Sequence, residues 1–475
     1  MATKGAPATI DQSWALRAPE RRLLLSVLLI ALLGYLMLLG ARPKDGFAVR
    51  LVDWAPWLVF ALAFSGAHCA LVAARFRGDQ LLLPAIGLLS AFGLLAQFRM
   101  GLFGEGVPDW SELLLLPLAL SLLVGVALAG RNGRYALAGR ANWIWAVLSL
   151  LILGLVLATG QRFRGAVYAV GFITPTELLK LTLVLFSAGF VNLHLKALSR
   201  WRSVLPPLRH LWPLLAVWGM VAALLLMQRD LGLVVILGTA LLAMLVAGTR
   251  HPGYAAYGMG LAAVAGTALL SLFSHGQRRI DAWLDPFADP TGAGWQVLQG
   301  LSGMYAGGLW GEGFSEARPR YAPIAESDFI YAVLAEELGF AGSVLLVAAF
   351  AVLLIRLISL SARARTPYGV MAATGVTTVL AVQTLLNLGG VTKAVPLTGI
   401  TLPLISHGGS SLLTVFTSLG LVLAISDGEP AKPRATGPAA KRGRSKDTEK
   451  RRAGSRAGPR SAPHAGKRRP RPEAG

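Results

Sequence analysis

Long apolar segments, separated by short polar stretches, recur along most of the chain. Between about residue 22 and about residue 426 there are about twelve, each long enough to cross a bilayer as an α-helix. They lie at roughly 22–40, 55–75, 80–98, 112–130, 143–160, 177–197, 207–227, 230–249, 253–274, 327–356, 369–390 and 408–426. This pattern predicts an all-α polytopic integral membrane protein with about twelve transmembrane helices and one long loop at about 276–326.

The composition agrees with a membrane protein. Of the 475 residues, 54% are hydrophobic and only 15% are charged, and the mean hydropathy is +0.58. A soluble chain of this length could not cover so much apolar surface. The single cysteine, Cys69, excludes an internal disulfide and a cysteine-based metal site, and we expect it to be a small residue of the core.

The net charge of +21 is concentrated partly at the C-terminal end. Residues 427–475 contain 15 Lys/Arg against 5 Asp/Glu and almost no large apolar residues. Such a segment cannot bury enough surface to fold alone, so we expect a disordered cytoplasmic tail that is attracted to anionic membrane lipids. No aromatic side chains accompany the charges, and no nucleic-acid partner is expected.

The basic residues between the apolar segments predict the orientation. If residues 1–21 are cytoplasmic, alternate loops carry most of the Lys and Arg residues, and an even number of spans returns the basic tail to the same side. The opposite loops nevertheless contain arginines, which we interpret as candidates for binding an anionic ligand rather than as interfacial charges. These are Arg162, Arg164, Arg229, Arg278, Arg279, Arg318 and Arg320.

The segment TPTELLK (174–180) contains a helix start and an unusual charge. Thr174 as N-cap, Pro175 in the first turn and Glu177 three residues after the cap form a capping-box pattern. Lys180 lies about one turn into an apolar helix, where a charge is costly unless it is paired or faces a wet cavity. Glu177 is its natural partner, and we favour a polar cavity wall over a simple salt bridge.

Two other acidic motifs occur next to or within apolar segments. Asp230, in QRDLG, is placed to cap the following helix with its carboxylate. Glu336 and Glu337, in AEELGF, lie about ten residues into the tenth span. Because adjacent residues point in different directions on a helix, we expect at least one of them to face the interior and pair with a cation.

The long loop contains DPFADPTGAGWQ (285–296). Pro286 and Pro290 favour turns over a helix there, and a loop of this length within a compact protein is usually functional. The histidines are scattered and no acidic triplet occurs, so no metal site is predicted. The glycine-rich GGLWGEGF lacks the strand and helix that a nucleotide-binding loop needs.

These motifs, in this order, resemble the shape, elongation, division and sporulation (SEDS) family of FtsW, RodA and SpoVE. The resemblance rests on DPFADPTGAGWQ, GGLWGEGF, ESDFIYAVLAEELGFAG and VPLTGITLPLISHGGSSLL, and more loosely on TPTELLK and QRDLG. It implies a ten-helix glycosyltransferase core at about 80–426. Residues 22–79 resemble the additional helix pair of some RodA-like members.

The resemblance further implies a peptidoglycan glycosyltransferase of the bacterial plasma membrane. Its substrate is lipid II, its product a β-1,4 glycan strand, and its partner a class B penicillin-binding protein. The essential acid of the family corresponds to Asp289, which we expect to be the general base. We expect the substrate, its pyrophosphate or the cavity to involve Glu177, Lys180, Arg162, Arg164, Arg278, Arg279, Asp230, Glu337, Ser410 and Ser411. No cofactor is certain, although the mechanism leaves room for a divalent cation, Mg²⁺ or Mn²⁺.

The chain departs from the family pattern at several positions. Thr174 and Thr176 replace glutamine and serine, Arg229 replaces proline, and His407 replaces a tyrosine for which we expect it to be a polar substitute. Two alternatives to the enzyme stay open. One is a lipid II flippase, which would also need a polar cavity between many spans, and the other is a non-catalytic scaffold for a cell-wall synthase. Elongation and division are not distinguished.

Overall fold

The structure of the chain is a computed structural model. It describes residues 10–41, 49–104, 107, 109–159, 161–163, 166–169, 174–201, 205–272, 274–313 and 324–427. Residues Met1–Gly428 form one compact unit, and Glu429–Gly475 form a second unit that lies outside the described residues. The predicted disorder and lipid binding of the basic tail therefore stay predictions.

Helices make up most of the described chain. They are α1 Ile10–Leu16, α2 Ala18–Ala41, α3 Ala55–Ala73, α4 Leu82–Arg99, α5 Trp110–Gly130, α6 Asn142–Thr159, α7 Pro175–Ser199, α8 Leu208–Met227, α9 Leu231–Thr249, α10 Gly253–Leu272, α11 Ser274–Leu284, α12 Trp295–Ala306, α13 Ile330–Arg363, α14 Pro367–Val391 and α15 Gly409–Ser426. Short 3₁₀ helices at Leu51–Trp54 and Arg134–Ala141 precede α3 and α6. An antiparallel hairpin, β1 Gln161–Phe163 and β2 Ala166–Ala169, follows α6.

Eleven helices of the described residues are long and apolar enough to cross a membrane. They are α2 to α9 and α13 to α15, where α3 and α6 are extended by their 3₁₀ turns. This confirms an all-α polytopic membrane protein. The remaining expected span, at 253–274, is the 20-residue helix α10, which is not among the eleven.

The centre and the periphery of the bundle differ in how much apolar surface they bury. Every residue of α7 from Leu179 to Val191 is buried, as expected for a helix that other helices surround. The outer helices instead expose apolar side chains, for example Met220 on α8 and Val264 on α10. Cys69 on α3 is also exposed, so its predicted place in the core is wrong. A small, weakly polar side chain suits an outer helix as well, because the solvent there is lipid.

The glycine-rich segment GGLWGEGF has a structural role in a break of α13. This 34-residue helix is interrupted at Gly339, whose φ of 68° and ψ of −170° are not helical. Residues 307–313 lie alongside the break and form hydrogen bonds with its backbone. For example, Phe340 N donates to Gly308 O at 2.9 Å. Non-helical backbone in a membrane protein needs such internal hydrogen bonds, because lipid offers none.

The expected long loop is partly helical. Helices α11 and α12 occupy its first half, and DPFADPTGAG forms the turns between them, as Pro286 and Pro290 predicted. Residues 314–323, which include Arg318 and Arg320, lie outside the described residues. The two helices therefore hold the acid-bearing turns between fixed ends.

Candidate active site

A cavity of about 1100 Å³ opens where the sequence motifs converge. Its walls come from the starts of α7, α9, α12 and α15, the end of α11, the turns before α12, and the segments before α13 and after α14. These elements are far apart in the sequence, and the bundle brings their ends together.

The cavity collects most of the predicted site residues. Those that line it are Glu177, Lys180, Asp230, Arg278, Arg279, Asp289 and Ser411. Ser410 and Glu337 are not among the lining residues. Arg162 lies in β1, but its side chain is outside the described part of the chain, and so is the whole of Arg164.

Lys180 is held firmly in the cavity wall. Its Nζ donates to Glu177 Oε2 at 2.7 Å and to Gln383 Oε1 at 2.9 Å, which confirms the predicted Glu177–Lys180 pair. The predicted capping box is wrong, because the Thr174 side chain makes no capping hydrogen bond and the Glu177 carboxylate turns to the ammonium instead. The Thr174 N–H donates to Ser410 Oγ at 3.0 Å, so Ser410 supports the start of α7 from behind the cavity surface.

Two buried amides on α14 support the cavity, and sequence reasoning missed both. Gln383 Nε2 donates to Thr401 O at 3.0 Å, while its oxygen accepts from Lys180. One turn later, Asn387 Nδ2 donates to Ile400 O at 2.6 Å and to Asp328 O at 2.9 Å. The signal was available, because two amides four residues apart in an apolar helix share one face and need partners.

Asp230 caps α9 as predicted. Its Oδ1 accepts from Leu233 N at 2.9 Å. Burial raises the pKa of the Asp230 carboxyl, although the Leu233 hydrogen bond and the nearby Lys180 ammonium act in the opposite direction. The Asp230 carboxylate is therefore committed to the helix start and to the charge balance of this wall.

Asp289 has a different environment, on tight turns at the cavity edge. Its side chain is exposed, and Oδ2 accepts from Ala293 N at 2.8 Å. Gly294 makes the turns possible, since a Cβ there would lie 1.9 Å from Pro286 O. Among the described residues Asp289 has no ion-pair partner, and it is one of the residues that line the cavity.

Several cations line the same cavity as this acid. Arg279 Nη1 donates to Thr398 O at 2.8 Å and to Leu397 O at 3.3 Å, which ties α11 to the segment after α14. Arg278 also lines the cavity, as do Arg229 and Lys393. The cavity therefore contains both signs of charge, because five Lys or Arg residues and six Asp or Glu residues line it, Asp289 among them.

Glu337 lies outside the cavity. Its Oε1 is 3.3 Å from Arg99 Nε on α4, and both side chains are largely buried. Glu336 lies against α12 instead, because a Cβ added to Gly303 of that helix would be 3.1 Å from Glu336 Oε2. The expectation that one of the two glutamates pairs with a cation is confirmed, and the pair stabilises α13 next to its break at Gly339.

His407 lies at the cavity rim and contacts an acid. Its Nε2 is 2.8 Å from Glu112 Oε2 at the start of α5. The segment before α15 is thereby attached to α5. This contact uses the ring as a polar group, which is the role expected of a substitute for tyrosine.

Helices long and apolar enough to span a membrane, with a polar cavity of mixed charge at their ends, define an integral membrane protein with a polar site. Comparison with known proteins specifies the class. The profile of the cell cycle protein family FtsW/RodA/SpoVE matches residues 80–430. The chain belongs to this family.

Relatives and solved structures agree with that membership. The peptidoglycan glycosyltransferase RodA of Mycobacterium tuberculosis is 31% identical over 441 residues, which are 89% of this chain and 93% of the relative. A chain from a structure described as "Structural coordination of polymerization and crosslinking by a peptidoglycan synthase complex" is 30% identical and superposes with a TM-score of 0.57. It covers 74% of this chain and 98% of its own. The rod shape determining protein RodA of Thermus thermophilus is 28% identical with a TM-score of 0.51, over 74% of this chain and 97% of its own.

Proposed function

We propose that this chain is a peptidoglycan glycosyltransferase that polymerises lipid II into β-1,4 glycan strands, with Asp289 as the general base. The observation that carries the proposal is the carboxylate of Asp289, which none of the ion pairs of the described residues includes. It is presented on hydrogen-bonded turns at the edge of a cavity that five Lys and Arg residues also line. The cavity lies at the ends of membrane-spanning helices, where both lipid-anchored sugars, donor and acceptor, can reach it.

The reaction needs one proton transfer and one bond exchange. Asp289 takes the proton from the acceptor sugar's 4-hydroxyl while that oxygen attacks the anomeric carbon of the donor. The bond from this carbon to the lipid pyrophosphate breaks, and the leaving oxygen keeps the electron pair. A sugar hydroxyl is a weak nucleophile at neutral pH, so a positioned base contributes about 10²–10⁴-fold.

Cations in the cavity stabilise the charge that develops on the leaving pyrophosphate. Arg278 and Arg279 lie on the helix that leads into the Asp289 turns. Hydrogen bonds to Leu397 O and Thr398 O hold the Arg279 guanidinium before the reaction begins. Lys180 is already neutralised by Glu177, so its role is to keep the wall polar and ordered. Ser411 adds a hydroxyl to the same cavity.

A divalent cation at the pyrophosphate stays a prediction. Among the described residues, no three His, Cys, Asp or Glu side chains come together as metal ligands. A Mg²⁺ or Mn²⁺ ion would therefore need the substrate's own phosphates as ligands. No step of the proposed reaction depends on it.

The setting of the enzyme follows from its family and its charges. We infer that both termini lie in the cytoplasm and that the Asp289 turns lie outside. The basic tail then contacts anionic lipids on the inner face of the membrane. A class B penicillin-binding protein is the partner, which the likeness to a chain of a synthase complex that coordinates polymerization and crosslinking supports.

The test uses purified protein, its penicillin-binding partner and fluorescent lipid II, with the products resolved on a gel. We expect a ladder of polymer from the wild type and none from Asp289→Ala or Asp289→Asn. The asparagine variant keeps an oxygen for the Ala293 N–H and so preserves the turns. Equal ladders would show that the base lies elsewhere. Movement of lipid II across liposomes without polymer from the wild type would favour the flippase.

A further inference from the structure

Two cations that line the cavity adopt a backbone conformation that favours glycine. Lys393 has φ 60° and Arg229 has φ 62°. The left-handed region is unfavourable for residues with a Cβ, so such residues persist only where the surrounding structure holds them. Both residues lie at the same cavity, which directs attention to what their charges do there.

Lys393 occupies a position where glycine is the usual residue. It follows the end of α14, where Ala394 N donates to Gly389 O at 2.7 Å in a tight helix-terminating turn. The carbonyl of Lys393 accepts from Trp283 Nε1 at 3.0 Å. Because Trp283 lies in the last turn of α11, Lys393 is fixed directly beside the turns that carry Asp289.

The ammonium of Lys393 is weakly engaged by the protein. It is 3.5 Å from Leu284 O, at the limit of a hydrogen bond. Among the described residues, none of the ion pairs includes Lys393, whereas Lys180 is held by both Glu177 and Gln383. The charge of Lys393 is therefore available to an anion that enters the cavity.

We propose that Lys393 binds the pyrophosphate of the lipid-linked substrate, a role that rests on the proposed function. Its position beside the last turn of α11 brings the anion next to the turns of Asp289. The competing explanation is that the ammonium only caps the C-terminal carbonyls of α11. The two explanations differ in whether the positive charge is needed or only a hydrogen-bond donor.

Three substitutions separate these explanations. Lys393→Gln keeps a donor for Leu284 O and removes the charge, Lys393→Arg keeps the charge, and Lys393→Gly removes the charge and the backbone strain together. Binding of undecaprenyl pyrophosphate to the full chain in nanodiscs is measured beside polymerisation of fluorescent lipid II. We expect the glutamine and glycine variants to bind about tenfold more weakly or worse, as for loss of a charge-assisted hydrogen bond. The arginine variant should remain within about threefold of the wild type.

Arg250 offers a matched control for the backbone. It has φ 59° at the end of α9 that lies away from the cavity. Arg250→Gly should raise the thermal midpoint as Lys393→Gly does, because both relieve a left-handed residue, but it should leave binding and polymerisation unchanged. If Lys393→Gly has a higher thermal midpoint than the wild type but binds undecaprenyl pyrophosphate more weakly, then the lysine side chain is needed for binding although its backbone conformation lowers stability.

The outcomes distinguish the inference from the proposed function. Normal binding by Lys393→Gln would overturn the inference and identify Lys393 as a helix cap, even if the wild type polymerises lipid II. A wild type that binds undecaprenyl pyrophosphate through Lys393 but makes no polymer would support the pyrophosphate site and refute the glycosyltransferase. A wild type that binds none would overturn the inference directly.

Discussion

Gly292 lies against the carboxylate of Asp289, and alanine at this position tests whether the placement of that carboxylate matters. A Cβ on Gly292 would lie 2.2 Å from Asp289 Oδ2 and 2.6 Å from Oδ1, whereas ordinary contact begins at 3.4 Å. The carboxylate must therefore move by about 1.2 Å. This movement breaks the 2.8 Å hydrogen bond from Ala293 N that orients it.

The expected cost falls on the reaction rather than on the fold. A misplacement of about 1 Å can lower a rate by about 10²-fold, because the base no longer meets the attacking hydroxyl at hydrogen-bond distance. We expect Gly292→Ala to reduce the polymerisation rate of fluorescent lipid II by about that factor. The thermal midpoint in detergent should change little, since the exposed carboxylate can swing into solvent.

Two comparisons make this result interpretable. Gly260→Ala on α10 is a matched control, because a Cβ there meets nothing within 4 Å. In an Asp289→Ala background, Gly292→Ala should add no further loss, since both changes remove the same function. A Gly292→Ala protein with the wild-type rate would refute the assignment of Asp289 as a positioned base.

Two other predictions concern the cavity wall. Gln383→Leu removes one acceptor of the buried Lys180 ammonium and the amide donor of the Thr401 carbonyl. We therefore expect it to lower the free energy of unfolding by about 1.5–3 kcal/mol. An unchanged thermal midpoint would contradict this role of the amide. Asp230→Asn tests the raised pKa of Asp230. Because the pKa is higher in the folded state than in the unfolded state, the folded state binds this proton more tightly. The contribution of the proton to stability therefore falls as the pH rises from about 4 through the raised pKa. The asparagine variant should lose that part of the pH dependence of the midpoint, and parallel curves would rule it out.

The sequence predicted the features that depend on local pattern. The length of an apolar run is enough to indicate a membrane-spanning helix. The Glu177–Lys180 pair follows from a spacing of three residues on one helix, and the Asp230 cap follows from its place before α9. Pro286 and Pro290 likewise predicted turns, because proline restricts its own backbone and that of the residue before it.

Features set by contacts between distant segments could not be predicted. The capping box at Thr174 failed for a local reason, because the Lys180 ammonium takes the Glu177 carboxylate, but the rest of this network comes from elsewhere in the chain. The amide that completes this network, Gln383, is 203 residues further along the chain than Lys180. Nor does the order of residues show that Lys393 follows a helix end in the left-handed conformation, since that depends on how α14 meets α11.

The cavity assigns different work to its acids, and this division explains why Asp289 suits the role of base. The Glu177 carboxylate is engaged by the Lys180 ammonium, and the Asp230 carboxylate caps the start of α9. Asp289 accepts a backbone N–H, and Arg279 on the neighbouring helix directs its guanidinium to the carbonyls after α14. Asp289 and Arg279 thus have separate partners within one cavity, and this leaves the Asp289 carboxylate available for the proton transfer that we propose.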